Sequence, residues 1–214
     1  MKKFVALLMA GAMIFSLAAC SGGGNTSASD TSSNSSASAS AETENTNAAQ
    51  TNDLGNVLVV YYSATGNTEE VANTIADTTG GDIFALEPAD PYTNEDLNFN
   101  DENSRVVREH DNPDQRNVEL VADTVDNWDD YDTIFIGYPI WWGIAAWPVD
   151  GFVKNNDFTD KTVIPFCTSA SSGIGQSGEL LAEAAGTGDW QDGMRFAEGV
   201  NASEVEDWVN SLSV

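Results

Sequence analysis

Basic residues are what this 214-residue chain most lacks: Lys and Arg total 8 against 34 Asp and Glu, a formal charge of -26. That imbalance excludes a nucleic-acid-binding surface, because the protein would repel the phosphates. Histidine occurs once, at His110, and cysteine twice, at Cys20 and Cys167, so a histidine–cysteine metal centre and a disulfide framework are excluded too. The leading apolar stretch, Phe4 to Ala19, is shorter than the roughly 20 residues a spanning helix needs. It follows Lys2 and Lys3, which is the pattern of an export signal. Between Ser21 and Asp53 there is no aromatic residue and no Val, Ile, Leu or Met. Nothing there offsets the entropy of ordering, so the segment reads as a flexible tether with a reach of roughly 30 Å.

The stretch Leu17-Ala18-Ala19-Cys20 resembles the bacterial lipobox, in which the signal is cut before the cysteine and that thiol is lipidated. The resemblance implies a signal peptide over 1–19, a lipidated Cys20 heading a tether over 20–53, and a folded domain over 54–214. It also implies export, with a lipid anchor on the outer face of the bacterial cytoplasmic membrane. A plain signal peptide or a short membrane anchor is the alternative. Lipidation of Cys20 would leave Cys167 without a disulfide partner.

Beyond Leu54 short apolar runs alternate with segments of helical period. Val57–Tyr62, Asp82–Leu86, Thr133–Tyr138, Lys161–Cys167 and Met194–Glu198 are the strand candidates. Helical faces are expected at Val71, Ala72, Ile75 and Ala76; at Val118, Val121, Ala122 and Val125; and at Leu180, Leu181, Ala184 and Ala185. A last helix, with Ser203 and Glu206 as a capping box, would present Val205, Trp208, Val209 and Leu212. Apolar strands separated by helices imply a parallel sheet covered on both faces. Five such units predict an α/β, doubly wound three-layer sandwich: a five-stranded parallel sheet of order 2-1-3-4-5, with ligands at the carboxyl ends of its strands.

Three loops lie at those ends. The first is Ser63-Ala64-Thr65-Gly66-Asn67-Thr68, hydroxyl-rich and without a cation. A helix N-terminus offers unpaired N–H groups and partial positive charge, so such a loop binds a phosphate without lysine; an ordinary turn capped by Asn67 or Thr68 is the alternative. The second carries Pro139, Ile140, Trp141, Trp142 and Gly143, then Trp147-Pro148. Adjacent tryptophans at a strand end are costly to expose unless something flat covers them, or unless they are core or a dimer patch. The third, Thr168-Ser169-Ala170-Ser171-Ser172-Gly173-Ile174-Gly175, is small enough for a backbone to approach a ligand, or is simply a mobile loop. Cys167 reads as a small buried hydrophobe, since no cation adjoins it in sequence.

Ser63, Thr65, Gly66 and Thr68 match the flavodoxin phosphate signature Ser/Thr-x-Thr-Gly-x-Thr, and Tyr138-Pro139-Ile140-Trp141-Trp142-Gly143 is similar to the signature of a bacterial branch of flavodoxin-like proteins. The resemblance runs from about Asn56 to the C-terminus. It implies FMN as cofactor, with its phosphate on residues 63–68, its ring beside residues 139–143 and its polar edge along residues 168–175. It also implies a peptide that flips beside the ring, for which Trp142-Gly143 is the candidate because glycine makes a flip cheap.

No nucleophile, general base or metal cluster accompanies these loops, so the protein supplies orientation and electrostatics while the cofactor supplies redox chemistry. The expected function is a low-potential electron carrier that meets a basic redox protein, the acidic surface favouring salt-sensitive encounters. Solubility or a saline habitat would account for the acidity equally well. The rivals are an FMN-dependent NAD(P)H:quinone or nitro-compound reductase, favoured if Arg105, Arg108 and Arg116 face the site, and a non-redox ligand-binding module. Those arginines are expected to pair with Glu102, Glu109 or Asp114, and His110 to be exposed. Tyr92 either leans over the cofactor or is a turn aromatic.

Overall fold

Leu58, Val60 and Tyr62 point to one side of the first strand and Val57, Val59 and Tyr61 to the other, and all six are buried. A strand apolar on both faces needs cover on both, and this determines the layers. The computed structural model describes residues 54–213; Cys20 and the tether lie outside them. β1 (Val57–Tyr61) pairs in parallel with β2 (Asp82–Ala85) and with β3 (Thr133–Trp141), which pairs in parallel with β5 (Thr162–Thr168). A two-residue β4 (Ile144–Ala145) folds back antiparallel on the end of β3.

The expected fifth strand is present in two pieces. β6 (Asp189–Trp190) pairs with Thr162 and Val163, and β7 (Met194–Phe196) with Phe166 to Thr168, so the order is β2-β1-β3-β5 and then this interrupted edge. Pro165 explains the break. The Gln191 N–H donates to Val163 O (2.9 Å), so Val163 turns its peptide groups toward the edge. Two residues on, Pro165 faces the same way and has no N–H to give.

Helix α1 (Asn67–Thr79) and the C-terminal helix cover one face of the sheet. On α1, Val71, Ala72, Ile75 and Ala76 meet Phe135, Ile164 and Phe166. The other face is covered by α3 (Pro148–Asn155), which buries Val149, Phe152 and Val153 behind Pro148 at its first turn, and by α4 (Ser177–Ala185), which buries Leu181 but leaves Leu180 exposed. Each such aliphatic side chain contributes about 1.5–3 kcal/mol by leaving water.

Two expectations are corrected. The apolar period over Val118–Val125 does not form a helix. The N–H groups of Ala89 and Val121 donate to Glu119 O and Glu87 O (both 2.8 Å), so the segment pairs antiparallel with the chain beyond β2 and Val121 is 68% exposed. Helix α2 (Arg105–Asp111) forms instead in the preceding polar stretch, with Ser104 Oγ accepting from the Val107 N–H. The final helix, α5 (Ala202–Ser211), buries Val205, Trp208 and Val209 as expected, but its N-cap is Asn201. Ser203 already lies inside the helix, so the capping box does not form.

Gly137 of β3 lets the Phe166 ring cross it: a Cβ there would lie 2.1 Å from Phe166 Cζ. Gly137→Ala is therefore expected to lower unfolding free energy by about 1–3 kcal/mol in a denaturant titration. An unchanged midpoint would show that the ring has room to move.

Candidate functional site

Helix α1 begins at Asn67, and its N-cap, Gly66, makes no side-chain cap bond. Neither Asn67 nor Thr68 serves as a cap: Asn67 Nδ2 donates to Thr65 Oγ1 (3.0 Å), and the Thr68 and Thr168 hydroxyls pair at 2.7 Å. The Ser63 hydroxyl accepts from the Gly66 N–H (3.1 Å), which closes the loop on itself. The first-turn N–H groups, which have no partner within a helix, are thus left to the space in front of the loop. That buried Thr68–Thr168 bond also ties the first loop to the end of β5, so two of the three expected ligand loops are joined by side chains 100 residues apart in sequence.

The space is a cleft of about 270 Å³. Of the residues singled out in the sequence, Ala64, Thr65, Asn67, Pro139, Ile140, Trp141, Thr168, Ser169 and Ala170 line it. All three loops contribute. Ser63, Gly66 and Thr68 stand behind as described, and Trp142, Gly143, Ser171, Ser172, Gly173 and Gly175 do not line the cleft. Gly175 approaches Gly143 O, so the second and third loops meet outside it, while Ser169 Oγ donates to Ser172 O and shapes the third.

The two tryptophans have different surroundings. Trp141 is 3% exposed, with Tyr62, Tyr92 and Trp147 packed edge to face against it at 5.7, 5.3 and 4.7 Å. It is core and cleft wall together. Trp142 is 42% exposed and stacked on His110, with ring centroids 4.2 Å apart and planes 22° from parallel, so His110 is half-buried against an indole rather than simply exposed.

Trp142 (φ 46°) and Gly143 (φ 83°) form the two-residue turn between β3 and β4, with both φ values positive as in a type I′ hairpin turn. Inverting their shared peptide would give a type II′ turn, which favours glycine at its first position. Trp142 occupies that position, so the strain of a flip falls on tryptophan and the ease expected from Gly143 is lost.

Sequence reasoning missed four contributors. Leu97, Phe99 and Glu198 line the cleft, the first two brought over it by the polar stretch before α2. The cue was faint: two isolated apolar residues among Asn, Asp and Glu. The fourth, Arg195 on β7, donates from Nε to Ser169 Oγ (3.0 Å) and from Nη2 to Ser169 O (2.5 Å), bracing the third loop from a strand far along the chain.

Of the arginines at 105–116, Arg105 pairs with an expected acid, Glu109, whereas Arg108 and Arg116 donate to backbone carbonyl groups instead. Arg105 Nε donates to buried Glu109 (2.7 Å) and its guanidinium reaches Asp90, 3.4 Å away. Arg116 donates to the Glu109 and His110 carbonyl oxygens, and Arg108 to Asn103 O. Glu109 also accepts from Tyr92 Oη (2.6 Å) and Trp147 Nε1 (2.7 Å), so Tyr92 is neither a free lid nor a plain turn residue. Burial first, and then the Glu109 carboxylate, push the Tyr92 phenol above its usual range.

Burial also pushes the Cys167 thiol up to about 12, the Arg195 charge opposing this only in part. It stays protonated through neutral pH. In a Cys20→Ser chain, native Cys167 is expected to react with a thiol reagent at pH 8 on the order of a hundredfold or more slower than a free cysteine. Denaturant should release normal reactivity; rapid labelling of the folded chain would contradict the buried, neutral assignment.

A family model described as flavodoxin matches residues 56–212. The crystal structure of a protein assigned as a flavoprotein from Bacteroides eggerthii is 34% identical over 74% of this chain and 98% of its own, with a TM-score of 0.67. Its counterpart from Bacteroides uniformis is 35% identical over 73% and 99%, with a TM-score of 0.68. A flavoprotein from Lactobacillus acidophilus, solved in complex with FMN, shares the fold at 22% identity over 72% of this chain and 98% of its own, with a TM-score of 0.53. No curated protein matches the chain. The strand order, the layers and the three convergent loops agree with the family match over nearly all of the described residues, and the chain belongs to the flavodoxin family.

Proposed function

We propose that the domain binds FMN in this cleft and serves as a low-potential electron carrier, tethered to the outer face of the membrane through a lipidated Cys20. The observation that carries the reading is the N-terminus of α1, uncapped by any side chain at a cleft walled by a tryptophan. Backbone N–H groups of that turn, with the hydroxyls of Ser63, Thr65 and Thr68 and the backbone of Ala64, Gly66 and Asn67, suit a phosphate without a cation. Pro139, Ile140 and Trp141 offer a flat wall, with Trp142 and Gly143 in the adjoining turn, and Leu97 and Phe99 line the cleft as well. Thr168, Ser169 and Ala170, backed by Ser171 through Gly175, supply polar groups for the ring edge.

Bound FMN would supply the redox chemistry. The chain's part is to hold it, shield it and set its potential. Glu198 at the cleft and the overall charge of -26 oppose further negative charge, which lowers the potential. The same field favours a partner with a basic docking surface. Arg105, Arg108 and Arg116 are committed to groups of their own segment and to Asp90, which supports a carrier over a reductase recruiting an anionic dinucleotide. Among the described residues no helix is long and apolar enough to cross a membrane.

Adding FMN to apoprotein should give a tight complex with flavin fluorescence quenched by the neighbouring aromatic wall. Anaerobic redox titration of that complex should then resolve two one-electron steps. One unresolved two-electron step would favour the reductase, and absence of binding would remove the whole reading. For the anchor, metabolic labelling with a fatty acid should mark the wild-type chain and leave it with membranes, whereas Cys20→Ser should be unlabelled; equal labelling of both would exclude lipidation at Cys20.

A further inference from the structure

We propose that Glu109 is a positioning residue for the cleft, holding Trp141 in orientation by fixing Tyr92 and Trp147, and that it ties the segment bearing Leu97 and Phe99 to that wall. Glu109 is 6% exposed and does not line the cleft. Its carboxylate is the shared acceptor for three parts of the chain: Tyr92 Oη from the loop after β2, Arg105 Nε from the start of α2 and Trp147 Nε1 from the residue before α3. Trp147 Nε1 also lies 3.1 Å from Tyr92 Oη, so the polar ends of the two rings converge.

The faces of those rings serve a different neighbour. Both Tyr92 and Trp147 pack edge to face against Trp141, which does line the cleft. Two guanidinium groups hold the rings from outside: Arg105 lies 4.0 Å from the Tyr92 ring centroid and Arg116 5.1 Å from that of Trp147. Apolar side chains in Glu109's place would fill the volume, but they would not dictate the angles at which two aromatic rings meet a third. A carboxylate accepting from three fixed directions does. The arrangement also makes partial loss costly, since removing the acceptor leaves the Tyr92 phenol and Arg105 Nε without this partner and the Trp147 indole N–H with only its longer approach to Tyr92 Oη, in a mostly buried place.

The same residue connects the wall to the cover. Leu97 and Phe99 belong to the stretch that leads into α2, and the Val106 N–H of that helix donates back to Asp96 O (3.0 Å). Fixing α2 at Glu109 therefore fixes the span that brings Leu97 and Phe99 over the cleft. Phe99 in turn lies against both Trp141 and Trp142, at 6.3 and 5.0 Å.

The ligand arm of the test rests on the FMN reading, and a second arm does not. In the full-length chain, Glu109→Gln should weaken FMN binding by about tenfold or more, and Trp147→Phe by less. Because the two residues share a hydrogen bond, the loss in the double variant should be clearly less than the sum of the two single losses. Glu102→Gln, an exposed acid on the same stretch, should leave affinity unchanged. Additive losses in the double variant, or equal losses from Glu102→Gln, would overturn the proposal. If Glu109→Gln fails to fold, Tyr92→Phe with Trp147→Phe provides the same cycle with the carboxylate kept.

The second arm uses the FMN-free protein. Trp147 should give a downfield indole N–H resonance protected from exchange, absent in Trp147→Phe and shifted upfield in Glu109→Gln. An indole resonance indifferent to Glu109→Gln would overturn the positioning role even if FMN binds. Failure of wild type to bind FMN, with the indole shift intact, would remove the cofactor reading and leave Glu109 holding the wall of a cleft for another ligand.

Discussion

A helix begins with N–H groups that its own backbone cannot satisfy, and at α1 no side chain makes up the deficit. In a chain with so few cations, that unfilled terminus is an economical way to hold an anion. The surroundings are arranged around it. The Ser63–Gly66 bond keeps the loop compact, and the hydroxyl pair Thr68–Thr168 locks it to the end of β5. Trp141 closes the far side, at the end of the strand next to β1. A parallel sheet buried on both faces leaves its strand ends as the place where a ligand can meet several loops at once.

Rigidity in this region has identifiable sources. The ring of Trp141 is surrounded edgewise by Tyr62, Tyr92 and Trp147, and the last two end on one buried carboxylate. The turn beyond it has tryptophan where an invertible turn would need glycine. Both features limit how far the wall can adjust. In the proposed electron carrier that would be an advantage, because a small rearrangement on reduction keeps electron exchange fast. Arg195, donating twice to Ser169 from the broken edge strand, gives the third loop comparable support.

The expected and observed structures diverge where local pattern and tertiary pairing compete. Val118, Val121, Ala122 and Val125 have helical spacing, yet their segment pairs with the chain after β2, because hydrogen bonding to Glu87 and Ala89 satisfies its backbone in an extended form. α2 arises from a stretch with little apolar periodicity; its buried side chains are Val106 and Glu109, and the carboxylate of the second is satisfied by Arg105 one turn back together with Tyr92 and Trp147, which lie far off in sequence. The break in the edge strand follows from Pro165, a residue visible from the start, but the side on which its missing N–H would fall is set by the sheet.

Read alone, the sequence determined the three-layer architecture and the three loops at the carboxyl ends of its strands, because burial period and turn chemistry act over a few residues at a time. It determined too that Cys167 would be a small buried hydrophobe. Only the tertiary structure decided which of two neighbouring tryptophans became wall and which became rim. It also decided that Leu97, Phe99, Glu198 and Arg195 belong to the site, and that Arg105, Arg116 and Tyr92 serve the core beside it. The reason is physical: hydrogen bonds and ring contacts between residues dozens of positions apart depend on how the layers pack, and no local pattern encodes that distance.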